Sequence, residues 1–212
     1  MEYERGGVLC AVSLSDGLIC AGYSSNAVFL WDIKGQHGPT YKALDTEFVT
    51  QQNINPTCSA ITSTLCAAGF TDGTISIWHN TLSPSPLYHY QLEGSVKSIA
   101  IATSKAPVAV AVSDHELRID VTDANGQWFC LKQKNFESKI QDMKILSSST
   151  NSVRPTVVIT TRDTLHLHGT SPHDDIIVMD HVIGGKMTCV DCDRETVAVG
   201  VGPYGYGVLG NT

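Results

Sequence analysis

Five stretches of this chain share one pattern: an apolar run, a turn of small polar residues, and a second apolar run. They are Leu18 to Asp32 (LICAGYSSNAVFLWD), Leu65 to His79 (LCAAGFTDGTISIWH), Val108 to Val121 (VAVAVSDHELRIDV), Val157 to Gly169 (VVITTRDTLHLHG) and Val197 to Gly210 (VAVGVGPYGYGVLG). Aligned at the position after the last apolar pair, they end at Trp31, Trp78, Asp120, His168 and about Gly210, in steps of 47, 42, 48 and about 42 residues. Self-similarity at this spacing restricts the chain to architectures in which one small unit recurs and neighbouring units bury each other's apolar faces.

Within each unit the hydrophobic period is two. In Thr74-Ile75-Ser76-Ile77-Trp78, Glu116-Leu117-Arg118-Ile119 and Thr164-Leu165-His166-Leu167 the aliphatic residues alternate with polar ones, which predicts strand rather than helix. Ser24-Ser25-Asn26, Thr71-Asp72-Gly73, Ser113-Asp114-His115 and Arg162-Asp163 supply the small and polar types that hairpin turns need. Inner strands are expected at Val8 to Ser13, Cys58 to Thr62, Val96 to Ala102, Ile140 to Leu146 and Met187 to Asp191. Outer strands are expected at Leu87 to Leu92, Trp128 to Lys132 and Ile176 to Val182, with the first repeat's return strand between Tyr41 and Val49. The expected fold is all-β, a β-propeller of about five four-stranded blades spanning 8–212 after a tail at 1–7. The units run about 8–50, 54–92, 96–134, 139–182 and 186–212, and the fifth has room for three strands only. A ring left incomplete in this way would expose strand edges and apolar sheet surface, to be covered by self-association or by a partner.

The stretch VLCAVSLSDGLICAGYSSNAVFLWDI resembles a WD-repeat unit, and LEGSVKSIAIA resembles the junction that leads through a glycine from one blade to the next. The similarity is strong in the first two units and weaker in the last three. It implies a hydrogen-bonded network of a turn Asp, a strand Ser or Thr, a Trp and a His from a preceding Gly-His pair. Here Asp72 and Trp78 match, Ala68 stands near the hydroxyl position, and no Gly-His pair occurs. Trp31, Trp78 and Asp72 are therefore expected as structural residues, with both tryptophans buried between sheets and the blades held more by packing than by the network.

Fourteen basic and 21 acidic residues give a net charge of −7, and no cluster of Lys or Arg is placed to neutralise a run of phosphates, which disfavours nucleic-acid binding. Nothing approaches the ~20 apolar residues of a membrane span, so direct insertion is not expected. With only 17% charged and 42% hydrophobic residues the chain is not of disordered composition. Six of its seven cysteines lie in apolar strand-like runs and read as buried, reduced thiols, consistent with a cytoplasmic or nuclear location.

Three constellations carry possible chemistry. Gly200-Val201-Gly202-Pro203-Tyr204-Gly205 fits the spacing of a dinucleotide fingerprint, but that motif needs a following helix and a later acid, so a glycine-rich hairpin is the expected structure. Cys189-Val190-Asp191-Cys192 has a metal-knuckle spacing, yet residues three apart on a strand face opposite ways. His166 and His168 share a strand face near His173 and Asp174, the basis of an alternative reading as a metal-dependent enzyme; a packed histidine pair is the simpler reading. No catalytic residue, cofactor or metal is assigned. Ser83, Ser85 and Ser171 each precede a proline in expected loops, where phosphorylation would add charge.

What remains is a rigid platform whose hairpin loops bind protein partners. The expected contact residues are Ser25, Asn26, Asp72, Asp114, His115, Arg162, Asp163 and Tyr204. The compact VLCAV and MTCVD units further resemble the propellers of F-box/WD substrate receptors in ubiquitin ligases. A non-enzymatic scaffold or adaptor of that type is the expected function, and a scaffold subunit of a membrane-trafficking or other multiprotein complex is the alternative.

Overall fold

The structure, a computed structural model, describes residues 9–15, 17–23, 27–34, 40–46, 54–80, 84–103, 107–146, 155–169, 175–179, 186–192, 197–202 and 205–209. Every helix or strand among them is a β-strand, and neighbouring strands pair antiparallel in chain order. The chain forms two compact units, Met1–Thr103 and Ser104–Thr212.

In the first unit, β1 (Leu9–Ser15), β2 (Leu18–Tyr23), β3 (Ala27–Asp32) and β4 (Thr40–Leu44) make one four-stranded sheet. A second consists of β5 (Pro56–Ile61), β6 (Leu65–Phe70), β7 (Thr74–His79) and β8 (Tyr88–Gln91), and β9 (Ser98–Ala102) lies beside β5 and β6. The register places Cys20 opposite Leu30 and Val28 opposite Leu44, so these side chains share one face of the first sheet. They form a core with Ile54 and with Cys66, Ala68, Phe70 and Trp78 of the second repeat. Burial of this apolar area is the main stabilising term of the sheet pair.

Two glycines let the sheets come this close. A Cβ on Gly22 would stand 2.5 Å from Cβ of Pro56, and one on Gly69 would stand 2.5 Å from Cγ1 of Val96. In both repeats the next-to-last residue of the second strand is a glycine because the segment leading into the next sheet crosses over it. Gly73 has a different requirement: its φ of +90° is the left-handed turn conformation, and a Cβ there would lie 2.3 Å from the carbonyl oxygen of Leu92.

The second unit holds β10 (Val108–Val112), β11 (Glu116–Thr122) and β12 (Trp128–Asn135), hydrogen-bonded in that order. A four-stranded sheet follows, of β13 (Asp142–Leu146), β14 (Thr156–Thr160), β15 (Leu165–His168) and β16 (Asp175–Met179). The last is β17 (Lys186–Cys192), β18 (Val197–Gly202) and β19 (Gly205–Leu209), three strands among the described residues. Val158 and Leu165 pack with Met187, Val190 and Val199 between these two sheets, and the Asp142 carboxylate accepts from the Val190 N–H at 3.0 Å.

Two expectations need correction. Trp78 is fully buried, but Trp31 is only half-buried, its ring 5.3 Å from that of Tyr41 in its own sheet. The first sheet covers Trp78, whereas the second sheet packs on the face of the first sheet that Trp31 does not occupy. The cysteines also divide: Cys20 and Cys66 are buried, Cys58 is half-buried, and Cys130 and Cys189 are exposed. An apolar run does not settle which face a cysteine takes, because the period of two puts every other residue outward.

Candidate partner-binding surface

The hairpin turns are tied to the sheet that follows by one recurring backbone bond. The N–H of Val96 donates to the Phe70 carbonyl at 3.0 Å, that of Ile140 to Asp114 at 2.7 Å, and that of Met187 to Arg162 at 2.9 Å. Each acceptor lies at the start of a hairpin turn and each donor where the chain enters the next sheet. These bonds anchor successive sheets through the main chain, so the turns are held without a Gly-His pair.

On this base the expected contact residues take different roles. Asp72 is committed to its own turn: Oδ1 accepts from the Thr74 N–H at 2.9 Å and Oδ2 from the Thr74 hydroxyl at 2.7 Å. Asp114 pairs with Lys139 at 3.1 Å, with side chains 41% and 54% exposed, and His115 is exposed with Nδ1 3.2 Å from the Phe136 carbonyl oxygen. Arg162 and Asp163 are more than half exposed and 3.8 Å apart. Exposed pairs of this kind hold each other weakly and exchange readily for a partner's charges. Ser25, Asn26 and Tyr204 lie outside the described residues, as do Ser83 and Ser171. Ser85 is exposed beside Pro84, whose carbonyl accepts from the Asp45 N–H at 2.8 Å.

The structure also brings together groups that the sequence reading did not join. On β11 the alternate residues Glu116, Arg118 and Asp120 share a face; Glu116 and Asp120 are buried, and Arg118 Nε donates to both Asp120 oxygens at 3.1 and 3.2 Å. Gln133 Nε2 donates to Glu116. Asp120 stands at the repeat position of Trp78, so an ion pair replaces an aromatic ring there. The period-two spacing of the three charges was the available signal. A cavity of about 220 Å³ opens at the other end of the first sheet from its hairpin turn. Leu18, Leu30, Asp32 and Lys42 line it with Tyr41 and Asn80, and Lys42 Nζ donates to the Asn80 carbonyl at 3.3 Å.

The histidine pair is a packed stack. The rings of His166 and His168 lie 5.8 Å apart at 13°, each meeting the edge of Phe136, at 5.1 and 5.7 Å, and His166 Nε2 is 2.7 Å from the Thr164 hydroxyl. His173 and Asp174 lie outside the described residues. Among the described residues no three His, Cys, Asp or Glu side chains cluster as metal ligands would. Gly200 and Gly202 lie on β18 and Gly205 opens β19, opposite Val201, so a strand and not a helix follows the glycine motif. No helix among the described residues is long and apolar enough to cross a membrane.

Two thiols are held in their neutral form. Cys20 is raised well above the usual thiol value, first by its contact with the Cys66 thiol and then by burial. Cys58 is pushed up to about 11 by burial, against hydrogen bonds to Thr57 and Gly69 that pull it down.

No family model matches the chain. Among curated proteins it is 24% identical to F-box/WD repeat-containing protein 8 of Rattus norvegicus over 216 residues, covering 100% of this chain and 35% of that protein. The Homo sapiens protein of the same name is 24% identical over 208 residues, covering 97% and 34%. The chain thus spans about a third of the length of these relatives. Among solved structures, a chain of the mitotic checkpoint complex superposes with a TM-score of 0.71 at 12% identity, covering 100% of this chain and 66% of that one. The RRP9 WD40 repeats give 0.68 at 14% identity, covering 98% and 62%, and the WD40 β-propeller domain of Doa1 gives 0.64 at 14%, covering 97% and 66%. Repeated antiparallel sheets, glycine crossings, anchored hairpin turns and these superpositions together identify the fold as that of the WD-repeat β-propellers, with about five repeat units in this chain.

Proposed function

We propose that this chain is a non-enzymatic interaction scaffold or adaptor that binds protein partners, of the substrate-receptor type found in ubiquitin ligases. The observation that carries the reading is the likeness to F-box/WD repeat-containing protein 8 along the whole of this chain. It is supported by exposed charged turns held on a stiff sheet framework, an arrangement suited to recognition. Asp114, His115, Arg162 and Asp163 are the proposed contacts, with Ser25, Asn26 and Tyr204 as further candidates, and the proposed setting is the cytoplasm or nucleus. Absence of a basic cluster argues against nucleic acid as the ligand.

Affinity purification of the tagged full chain from cells, with mass spectrometry, tests this. Recovery of ubiquitin-ligase subunits, reduced by the double charge reversal Arg162→Glu with Asp163→Lys, is the expected result. Recovery of trafficking-coat subunits instead would move the chain to the other scaffold class. A saturable catalytic activity dependent on His166 and His168 would overturn the reading.

A further inference from the structure

The turn that joins β11 to β12 holds the one asparagine, of eight in the chain, that a glycine follows. Asp123, Ala124, Asn125, Gly126 and Gln127 are all exposed there, at the opposite end of β11 from the turn at 113–115. Asn125 and Gly126 are a reactive pair. The side-chain amide carbon of Asn125 and the main-chain nitrogen of Gly126 are one five-membered ring apart, so their reaction has the advantage of an intramolecular step. Glycine adds no side chain to hinder it. A Cβ on Gly126 would meet nothing within 4 Å, so the tip of the turn has open space in which to rearrange.

The turn opposes that reaction through one residue. Asp123 Oδ1 accepts from the N–H groups of Asn125 at 2.8 Å and Gln127 at 2.9 Å, and its Oδ2 stands 3.5 Å from Asn125 Nδ2. The Gly126 N–H donates to the Asp123 carbonyl at 3.1 Å. These donors, the Gln127 N–H first, hold the Asp123 carboxyl below its ordinary value, so it is ionised at neutral pH. Each contact works against ring closure. The nucleophilic nitrogen keeps its proton on a carbonyl, the asparagine amide is turned back toward Asp123, and a fixed negative charge sits beside the atoms that must become negative.

We propose that Asn125 is a site of spontaneous deamidation and that Asp123 is the positioning residue that restrains it. When the turn opens, the Gly126 nitrogen bonds to Asn125 Cγ, the Cγ–Nδ2 bond breaks, and Nδ2 leaves as ammonia with the proton that Gly126 loses. Water then opens the cyclic imide at either carbonyl, with no change of oxidation state. One opening leaves aspartate at 125; the other leaves an isoaspartyl link whose main chain is one atom longer. Either product puts a second carboxylate where an amide donated to Asp123, and the net charge of −7 becomes one unit more negative. The longer link also breaks the spacing that seats the Asn125 and Gln127 N–H groups on one oxygen, so the turn loosens. This inference does not rest on the ubiquitin-ligase reading.

Incubation of the full chain in mildly alkaline heavy-oxygen water, followed by peptide mass spectrometry, is the test. Asn125 is expected to gain labelled oxygen in both aspartyl and isoaspartyl forms, while Asn135, also exposed but followed by Phe136, keeps its amide. Asp123→Ala should speed the conversion at least about threefold, the scale of an exposed charge contact, and Asp123→Asn, which keeps an acceptor without the charge, should fall between. Both variants change an exposed turn residue, and unchanged far-ultraviolet circular dichroism confirms that they fold. In urea, where the turn is lost, the parent chain should reach the rate of Asp123→Ala. No labelled acid at Asn125 beyond the level at Asn135 overturns the proposal. An aspartyl product without its isoaspartyl companion overturns the cyclic route, and a rate indifferent to Asp123→Ala and to urea overturns the role of Asp123.

Discussion

Val96 lies directly over Gly69, so close that a methyl group on the glycine would stand 2.5 Å from Cγ1 and 2.7 Å from Cβ of the valine. Cβ is fixed to the backbone and the β-branched side chain is stiff at χ1, so the incoming segment itself must move. Gly69→Ala is expected to lose about 1 to 3 kcal/mol, the usual cost of overpacking. Adding Val96→Ala should restore part of that loss, giving a non-additive double-mutant cycle in urea unfolding. Strict additivity would show that the close approach is not what the glycine serves.

The two tryptophans of the repeat should differ in weight. Trp78→Ala empties a fully buried site and should cost about 3 to 5 kcal/mol. Trp31→Ala, at a half-buried site, should cost less than about 2 kcal/mol. Equal losses from denaturant unfolding would contradict the different surroundings of the two positions.

Removing one partner of the Arg118–Asp120 pair should be more harmful than removing both. Asp120 is fully buried and Arg118 is 15% exposed, so Asp120→Ala leaves a largely desolvated cation and should cost about 3 to 5 kcal/mol. The triple variant Arg118→Met with Asp120→Leu and Glu116→Gln should recover most of this, since no buried charge is then left without a counter-charge. Thermal unfolding of the three proteins would reveal the order.

Stability should decline in alkaline solution. The folded chain holds the Cys58 proton up to about pH 11, whereas an exposed thiol releases it near 9. The contribution is therefore whole below about pH 9 and is lost as pH rises through the folded value. Cys20, also raised, acts in the same direction. Comparing urea midpoints at pH 8 and pH 10.5, Cys58→Ala should show a shallower fall than the parent chain; an equal fall would assign the slope to other groups.

Much of the architecture was legible because period-two alternation and repeat spacing are properties of the chain alone. Thr74 to Trp78 reads as strand and folds as β7, and Thr71-Asp72-Gly73 reads as a turn and makes one, with the Asp72 carboxylate on Thr74. The candidate site was less legible. Asp72 and Arg162 both stand in hairpin turns, but only coordinates distinguish a carboxylate spent inside its turn from a guanidinium more than half exposed. The ion pair on β11 is not legible in the sequence because charges at alternate positions ordinarily mark a solvated face, and burial of Asp120 depends on what packs above it.

The sequence by itself determined strand identity, turn chemistry and the number of repeats, all of which follow from residues within a few positions of one another. Only the tertiary structure decided which of two equivalent tryptophans is buried and which of the described cysteines meet solvent. The reason is physical: alternation assigns a residue to a face, but whether that face is covered depends on a sheet tens of residues away in the chain. Trp31 and Trp78 have the same local pattern, and among the described residues a sheet packs over Trp78 while Trp31 is left half-buried.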